Sequence, residues 1–584
     1  MSAPDTALID GSVASPPAAP LRSRGRWRPV DTSVSLVTVL VIAVLVVTPL
    51  AYLVYGSLRT LPPGAANSAF TGANWKTALN SSGLLYLRNT VVAGLVTAAL
   101  SMVMGTVLAW LVTRTDLPCK RKLNTFLLVP LLFSPLLSTL AWIGLAGPRA
   151  GLLNIVYRSV FGHGQPFNIF SFPGMILVMV AHYTPYVFLA VRGVMVNVDK
   201  DLESASRVLG GSSFMTARRI TVPMVAPALL SSGLLVFVLS ADNFTVPSLL
   251  GVNFGYVTLP YALYSAISGY PYTPGLAAAY GLVLVIVTTL GMGLYLRTVR
   301  SAKKYVAVSG KGNRTGVTRL TWWGKTVGLI FCFGYLVIAV VLPYATLLLG
   351  AFSKYLSTAS FSLSLLTLSQ FRELFASPQV MSALRNSVEL ILLTATIATL
   401  LSVLVAWVSV RSRSRLRFGL DFLSALPAII PGVALGLGLL WQFLYIKVGL
   451  YGTIGAIVIA FVTQFLGHGS RISSAALLQV NPDLEQAAMT LGSTRTSSFL
   501  RVTLPALRAP LASAWVLIAI LASIEVSAAM SLFTGSTEPL SVFVFITSNG
   551  GQTGEAFAAG ALLMTVTLAI VSLAQWRLRV LEQV

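Results

Sequence analysis

The stretch Leu202-Glu203-Ser204-Ala205-Ser206-Arg207-Val208-Leu209-Gly210, followed after nine residues by Ile220-Thr221-Val222-Pro223, is written twice in this chain. The second copy runs Leu484-Glu485-Gln486-Ala487-Ala488-Met489-Thr490-Leu491-Gly492 and, nine residues later, Val502-Thr503-Leu504-Pro505. Glu485, Gly492 and Pro505 each stand 282 residues after Glu203, Gly210 and Pro223. Each copy is a polar island whose proline opens a long apolar run. A glycine that turns the chain between two helices would explain one such island. Two copies at matched spacing point instead to a shared surface task, the docking of a partner.

The apolar runs around these islands set the class of protein. Of 584 residues, 55% are hydrophobic and only 10% charged, with a mean hydropathy of +0.82. Such a composition excludes a soluble globular domain and indicates a polytopic membrane protein. The net charge of +23 would suggest nucleic acid in a soluble chain. Here loop asymmetry accounts for it, and no nucleic-acid partner is expected. Cys119 and Cys332 fall in a loop and an apolar span, so no disulfide framework is indicated.

Runs long enough to cross a bilayer lie near 32–58, 89–113, 123–148, 169–191, 220–241, 276–296, 326–353, 386–410, 422–446, 448–470, 509–533 and 556–576. The first has no charge and is too long for a leader's apolar core, so it reads as a span. Residues 1–31, rich in Ala, Pro and Ser with Arg22, Arg24, Arg26 and Arg28, read as a disordered cytoplasmic tail. With both termini inside, 31 of the 40 Lys and Arg residues fall in cytoplasmic segments. The positive-inside rule then places both duplicated loops, 192–219 and 471–508, on the cytoplasmic side.

The duplication extends beyond the loops. Leu87-Arg88-Asn89-Thr90 and Leu384-Arg385-Asn386-Ser387 open equivalent spans, which close near Ala109-Trp110 and Ala406-Trp407 at an offset of 297. The expected architecture is all-α, with about twelve transmembrane helices in two homologous halves of six. They occupy 32–300 and 326–584, joined by a cytoplasmic linker at 301–325. Same-sense duplication relates the halves by an axis along the membrane normal.

The spacing of the duplicated loops, at 199–223 and 481–505, resembles the cytoplasmic loop of bacterial ABC importer permeases. Its core is Glu-Ala-Ala, three residues, Gly, nine residues, then Ile-x-Leu-Pro. In this chain the Glu-Ala-Ala slots hold Ser204-Ala205-Ser206 and Gln486-Ala487-Ala488, with Glu203 and Glu485 one residue earlier. The resemblance implies the type I ABC importer permease fold and a bacterial inner-membrane location. It also implies coupling helices at Arg207 to Phe214 and Met489 to Thr496 that dock into ATP-binding subunits. Two copies of that ATPase and an extracytoplasmic solute-binding protein are the implied partners. ATP would be used by the ATPase, and closure would reach the following spans through Pro223 and Pro505. No cofactor is expected on this chain itself.

Two acids stand where charge is expensive, Asp242 at the outer end of the fifth span and Glu525 inside the eleventh. The segments Ala241-Asp242-Asn243-Phe244-Thr245-Val246-Pro247 and Ile524-Glu525-Val526-Ser527-Ala528-Ala529 resemble those of fused ferric-iron permeases. The resemblance implies that Asp242, Asn243 and Glu525 line the translocation pathway, with ferric iron as cargo. Thiamine and aminoethylphosphonate permeases share the architecture. A structural polar contact between helices is the alternative for both acids, and Glu389 reads as structural. His163, His182 and His468 are scattered without metal-ligand spacing. Gly324-Lys325-Thr326 ends like a phosphate-binding loop, but the required glycine is Arg319. The chain therefore reads as a non-enzyme that borrows its energy. A gradient-driven secondary transporter also has twelve spans in two halves, but does not need the paired glycine-centred loops.

Overall fold

The computed structural model describes residues 29–62, 65, 67–197, 208–210, 212–216, 218–219, 222–302, 318–353, 366–412, 416–447 and 449–582. These residues form helices joined by turns and a few isolated backbone pairings. The first half contains α1 (Pro29–Ser57), α2 (Ser81–Arg114), α3 (Pro135–Ala146), α4 (Phe172–Asn197), α5 (Val222–Asp242), the short α6 (Leu259–Ser268) and α7 (Pro274–Ala302). The second repeats the series with α8 (Trp322–Ala351), α9 (Pro378–Arg411), α10 (Gly432–Ile446), α11 (Ile454–Gln479), α12 (Pro482–Thr490), α13 (Arg508–Ile524), α14 (Leu540–Asn549) and α15 (Thr553–Glu582). Both α2 and α9 are 34 residues long and each begins eight residues before its expected apolar run. Arg88 and Arg385 therefore lie two turns inside these helices, which extend beyond the apolar zone.

Among the described residues, eight helices are long and apolar enough to cross a membrane, or ten when two bent pairs count as single spans. The bent pairs are Lys120–Leu131 with Pro135–Ala146, and Arg495–Ala506 with Arg508–Ile524. The other two expected runs, 422–446 and 448–470, depart from that standard for visible reasons. Pro427 and Pro431 break the first into Leu416–Ala425 and the 15-residue α10, since proline cannot donate to the preceding turn. The second is α11, whose inner turns carry Gln464, His468 and Arg471. Lys447, Gly449 and Gly452, all with positive φ, make the turn between them, so α11, the tenth expected span, starts at Ile454.

The halves interlock through their first helices. α1 packs on α7 of its own half and on α10 of the other, while α8 packs on α15 and on α3. The crossings are close. A Cβ on Gly438 would lie 2.5 Å from the Pro49 carbonyl oxygen, and one on Gly144 would lie 3.2 Å from Thr346. Thr48 Oγ1 donates to Gln442 Oε1 at 2.9 Å across the first of these crossings. Small residues and interhelical hydrogen bonds are the expected cement where lipid removes the hydrophobic drive between helices.

The repeated Asn-Thr/Ser pair fastens the short helices. Thr90 Oγ1 accepts from the Leu259 amide at 2.8 Å and Ser387 Oγ from the Leu540 amide at 2.7 Å. Each hydroxyl thereby caps the first turn of α6 or α14, which lack a cap from their own flanking side chain. Asn89 Nδ2 donates to the Val257 carbonyl, and Asn386 Nδ2 to those of Ser536 and Glu538. At the other end of α2, Asp116 accepts from the Leu320 amide at 2.8 Å and pairs with Lys325 at 2.7 Å. The Leu320 amide first, then Lys325, holds the Asp116 carboxyl below the usual carboxylate range. The residues that lead into α8 are thus docked onto the first half.

One contact is conserved between halves with its partners exchanged. Gly105 on α2 faces Val187 and the Phe188 amide on α4 at 2.7–2.9 Å from a hypothetical Cβ. At the equivalent place Ser402 on α9 faces Gly469 on α11, where a Cβ would meet Ser402 Oγ at 2.3 Å. The small residue has changed helix while the close approach persists. Gly105→Val is expected to cost about 1–3 kcal/mol by overpacking, read as a lower thermal midpoint in detergent. Adding Val187→Gly should restore part of it, and simple additivity would show that the two sites are uncoupled.

Candidate functional site

The second polar island is built from the end of α9 outwards. Asn481 caps α12 by accepting from the Asp483 amide at 3.0 Å, and Pro482 takes the first helical position. Glu485 turns inwards and is only 5% exposed. Its Oε1 accepts from Thr503 Oγ1 at 2.8 Å and lies 3.5 Å from Arg411 Nε at the last turn of α9. Arg411 also donates to the carbonyls of Leu477 and Val480, and Arg495 donates to the Arg411 carbonyl. The Arg495 guanidinium stands over the Trp407 ring at 5.9 Å. Glu485 therefore ties the loop to the membrane helices and does not face outwards.

Beside each glycine turn a leucine faces outwards. α12 ends in a Schellman turn, with the Gly492 amide on Met489 and the Ser493 amide on Ala488. Gly492 has φ +93° and Gly210 φ +80°, the left-handed conformation that glycine alone adopts without strain. Immediately before these glycines, Leu491 is 89% and Leu209 87% exposed. Gln486 and Ala487 are also exposed. A short helix follows each glycine, Ser213–Thr216 with Phe214 and Arg495–Ser498. The expected site residues Glu203, Ala205 and Arg207 lie outside the described residues. Arg114, at the position on α2 that matches Arg411 on α9, is buried.

From these loops α5 and α13 lead across the protein. Pro223 is the second residue of α5. Pro505 lies in a three-residue turn of helix, Leu504–Ala506, and the segment containing it is bent 75° from α13. Asp242 is the last residue of α5, and α13 stops at Ile524. Glu525 accordingly ends a helix instead of lying within a span; by the 282-residue offset it matches Asn243, the residue after Asp242, and each accepts from the amide three residues on. Both lie deep in the bundle yet keep part of their surface accessible.

Their partners are polar and uncharged. Asp242 Oδ1 accepts from the Gly432 amide, the first of α10, at 3.2 Å. Glu525 accepts from the Ala528 amide at 3.2 Å and from Gln464 Nε2 at 3.3 Å. A Cβ on Gly432 would lie 3.2 Å from Glu525 Oε1, so acids from both halves flank one helix N-terminus, where the aligned peptide dipoles favour negative charge. Among the described residues neither acid has an ion-pair partner. Asn243 donates to Tyr183 Oη at 2.9 Å and accepts from the Val246 amide at 3.0 Å.

Next to the acids, aromatic rings from both halves meet. Phe244 is 5.0 Å from Phe545 and 5.2 Å from Tyr264, with Tyr264 and Phe545 at 6.2 Å between centroids. Tyr264 is the sixth residue of α6 and Phe545 the sixth of α14. Equivalent residues in contact mark the local axis between the halves. Sequence reasoning did not single out these rings, Gln464 or Gly432. Applying the 282-residue offset to α4 would have paired His182 with Gln464 and Tyr186 with His468. His182 lies beside Tyr183 and His468 beside Phe465. No group of three or more His, Cys, Asp or Glu residues that could hold a metal ion occurs among the described residues.

The family model "Binding-protein-dependent transport system inner membrane component" matches residues 101–304 and again 398–583. This chain belongs to that family. It carries the family domain twice, in keeping with two halves of the type I ABC permease fold in a multi-pass inner-membrane protein. The ferric transport system permease protein FbpB of Actinobacillus pleuropneumoniae is 26% identical over 432 residues, 73% of this chain and 62% of that protein. The chain thus spans less than two thirds of that relative. The Fe(3+)-transport system permease protein FbpB 2 of Haemophilus influenzae is 25% identical over 80% of this chain and 84% of its own length. A putative 2-aminoethylphosphonate transport system permease protein, PhnU of Salmonella typhimurium, is 28% identical over 44% of this chain. A chain of a bacterial ABC transporter for the acidic polysaccharide alginate aligns with 44% of this one at 20% identity and a TM-score of 0.38.

The Arg411–Glu485 pair gives a test of the loop. Removing one member of a buried pair costs about 3–5 kcal/mol because the other charge is stranded, whereas replacing both is nearly neutral. Arg411→Met should accelerate amide exchange over 481–503, and Arg411→Met with Glu485→Met should recover much of the protection. Equal exchange in the single variant and the parent would show that the pair does not hold the loop.

Proposed function

We propose that this chain is the membrane permease subunit of an ATP-driven importer, with both termini in the bacterial cytoplasm. The observation that carries the reading is the pair of exposed leucines, Leu209 and Leu491, each set on a left-handed glycine in a duplicated polar loop. An apolar knob held out from a polar loop is a contact waiting for a pocket. Two knobs take two copies of an ATPase subunit, which bind and hydrolyse the ATP. An extracytoplasmic solute-binding protein delivers cargo to the opposite face.

Motion would pass along α5 and α13. The 21 residues of α5 span about 32 Å at 1.5 Å per residue, so a shift at Pro223 reaches Asp242 along one helix. The bend after Pro505 lets the second loop swing on α13. Loop displacement then alters the spacing of Asp242 and Glu525 on either side of Gly432, and with it the aromatic contact beside them.

The cargo we assign is ferric iron. A hard trivalent cation suits carboxylate and amide oxygens such as those of Asp242, Asn243, Gln464 and Glu525. Two relatives that each align with more than two thirds of this chain bear ferric-transport names, whereas the aminoethylphosphonate relative aligns with less than half. These pathway residues need not form a resident site, because cargo must leave as readily as it enters.

Two variants separate the parts of this reading. Leu209→Asp with Leu491→Asp alters only exposed side chains, and should abolish co-purification of the ATPase in mild detergent while elution stays monodisperse. Asp242→Asn with Glu525→Gln should retain the ATPase but lower uptake of radiolabelled ferric iron several-fold. An ATPase that stays bound to the leucine variant would sink the docking assignment. Undiminished iron uptake by the carboxamide variant would sink the pathway assignment.

A further inference from the structure

The outer surface of the first half carries a groove that the import cycle does not use. It runs between α2, α5 and α7, has a volume of about 850 Å³, and is lined almost wholly by apolar side chains. The small residues Ala98, Ala99, Gly233 and Gly291 line it together with the longer Leu95, Val103, Leu230, Leu290 and Leu294. The helices converge there because glycine permits it. A Cβ on Gly233 would sit 2.2 Å from the Met102 sulfur, and one on Gly291 2.8 Å from Val238.

The second half fills the corresponding place with its own side chain. Ala99 on α2 corresponds to Thr396 on α9 by the 297-residue offset. The indole nitrogen of Trp515 on α13 donates to the Thr396 hydroxyl at 3.1 Å and so bridges α13 and α9. By the 282-residue offset Trp515 matches Gly233, so the place of that bridging indole is held by a glycine in the first half. The groove also has a marked end. One turn beyond Thr106 and Val107, Trp110 is 36% exposed, and three residues beyond Leu294 comes Arg297, which is exposed. Arg218 and Arg219 precede α5 on the same side and are exposed as well. An amphipathic indole and basic side chains above an apolar slot are the signature of a bilayer interface with acidic headgroups.

We propose that this groove is a binding site for the acyl chains of an anionic phospholipid in the leaflet nearer the duplicated loops. Its size falls in the roughly 300–1,000 Å³ range of formed ligand sites. The headgroup phosphate would meet Arg297, while the chains replace the contact that Trp515 makes in the other half. Under the orientation proposed above this is the cytoplasmic leaflet; the groove and its basic end do not depend on that orientation.

The test is native mass spectrometry of the purified full-length protein, delipidated and then titrated with palmitoyl-oleoyl phosphatidylglycerol. The parent should retain one lipid molecule through delipidation. Ala99→Trp, which fills the floor, should retain none while keeping the parent's elution and thermal midpoint. Thr396→Ala with Trp515→Ala should open the second groove and retain two, a gain that misfolding does not mimic. Arg297→Gln should erase the preference for phosphatidylglycerol over phosphatidylcholine. If Arg88→Gln, at the opposite end of α2, erases it instead, the lipid sits in the other leaflet and the assignment of its headgroup to Arg297 is overturned. Equal retention by the parent and Ala99→Trp, or a co-purifying apolar peptide that phosphatidylglycerol does not displace, overturns the proposal.

Discussion

Two carboxylates placed deep in a bilayer protein constrain everything around them. Asp242 and Glu525 are satisfied by backbone amides and by Gln464, without a cation among the described residues. That solution needs a helix to begin beside them, and α10 does so because Pro431 ends the preceding segment and Gly432 leaves room. It also needs α5 and α13 to stop level with one another. An uncompensated buried charge would cost several kcal/mol, so neighbouring helices have little freedom to move independently of these ends.

The paired halves were legible because duplication is a pattern in the letters. The glycine-centred loops, the Asn-Thr/Ser pair and the matching prolines all announced themselves through constant offsets. Their physical work was less visible. Thr90 and Ser387 cap helices more than 150 residues away, and no local signal predicts a cap supplied from so far along the chain. Glu485 belongs to a polar loop, yet it is buried beside Arg411, which stands 74 residues earlier in the chain. Residues 525–533 are apolar enough to extend the eleventh span, yet its helix ends at Ile524. What stops the helix is the geometry around Glu525, not hydropathy.

Equivalent positions also show where equivalence is not enforced. Gly105 facing Val187 and Ser402 facing Gly469 conserve a distance while exchanging residues. Trp110 is partly exposed, whereas Trp407 is buried against Phe499 and Arg495. Selection on a packed interface acts on the sum of two side chains, so either helix can carry the small one. Contacts on the axis, where Tyr264 meets Phe545, hold both copies to similar size and shape. Away from it the halves are free to diverge, one bridging two helices with the Trp515 indole and the other placing Gly233 there.

The exchange of first helices carries a consequence for biogenesis. Thr48 on α1 finds its partner Gln442 394 positions later. At about 5–20 residues per second of synthesis, α1 waits roughly 20–80 s in the membrane before the surface it fits has been made. Each half is therefore an incomplete folding unit, and the polypeptide closes on itself only late in translation. A ribosome that stalls between the halves leaves an exposed helix face, open to wrong neighbours in the same bilayer.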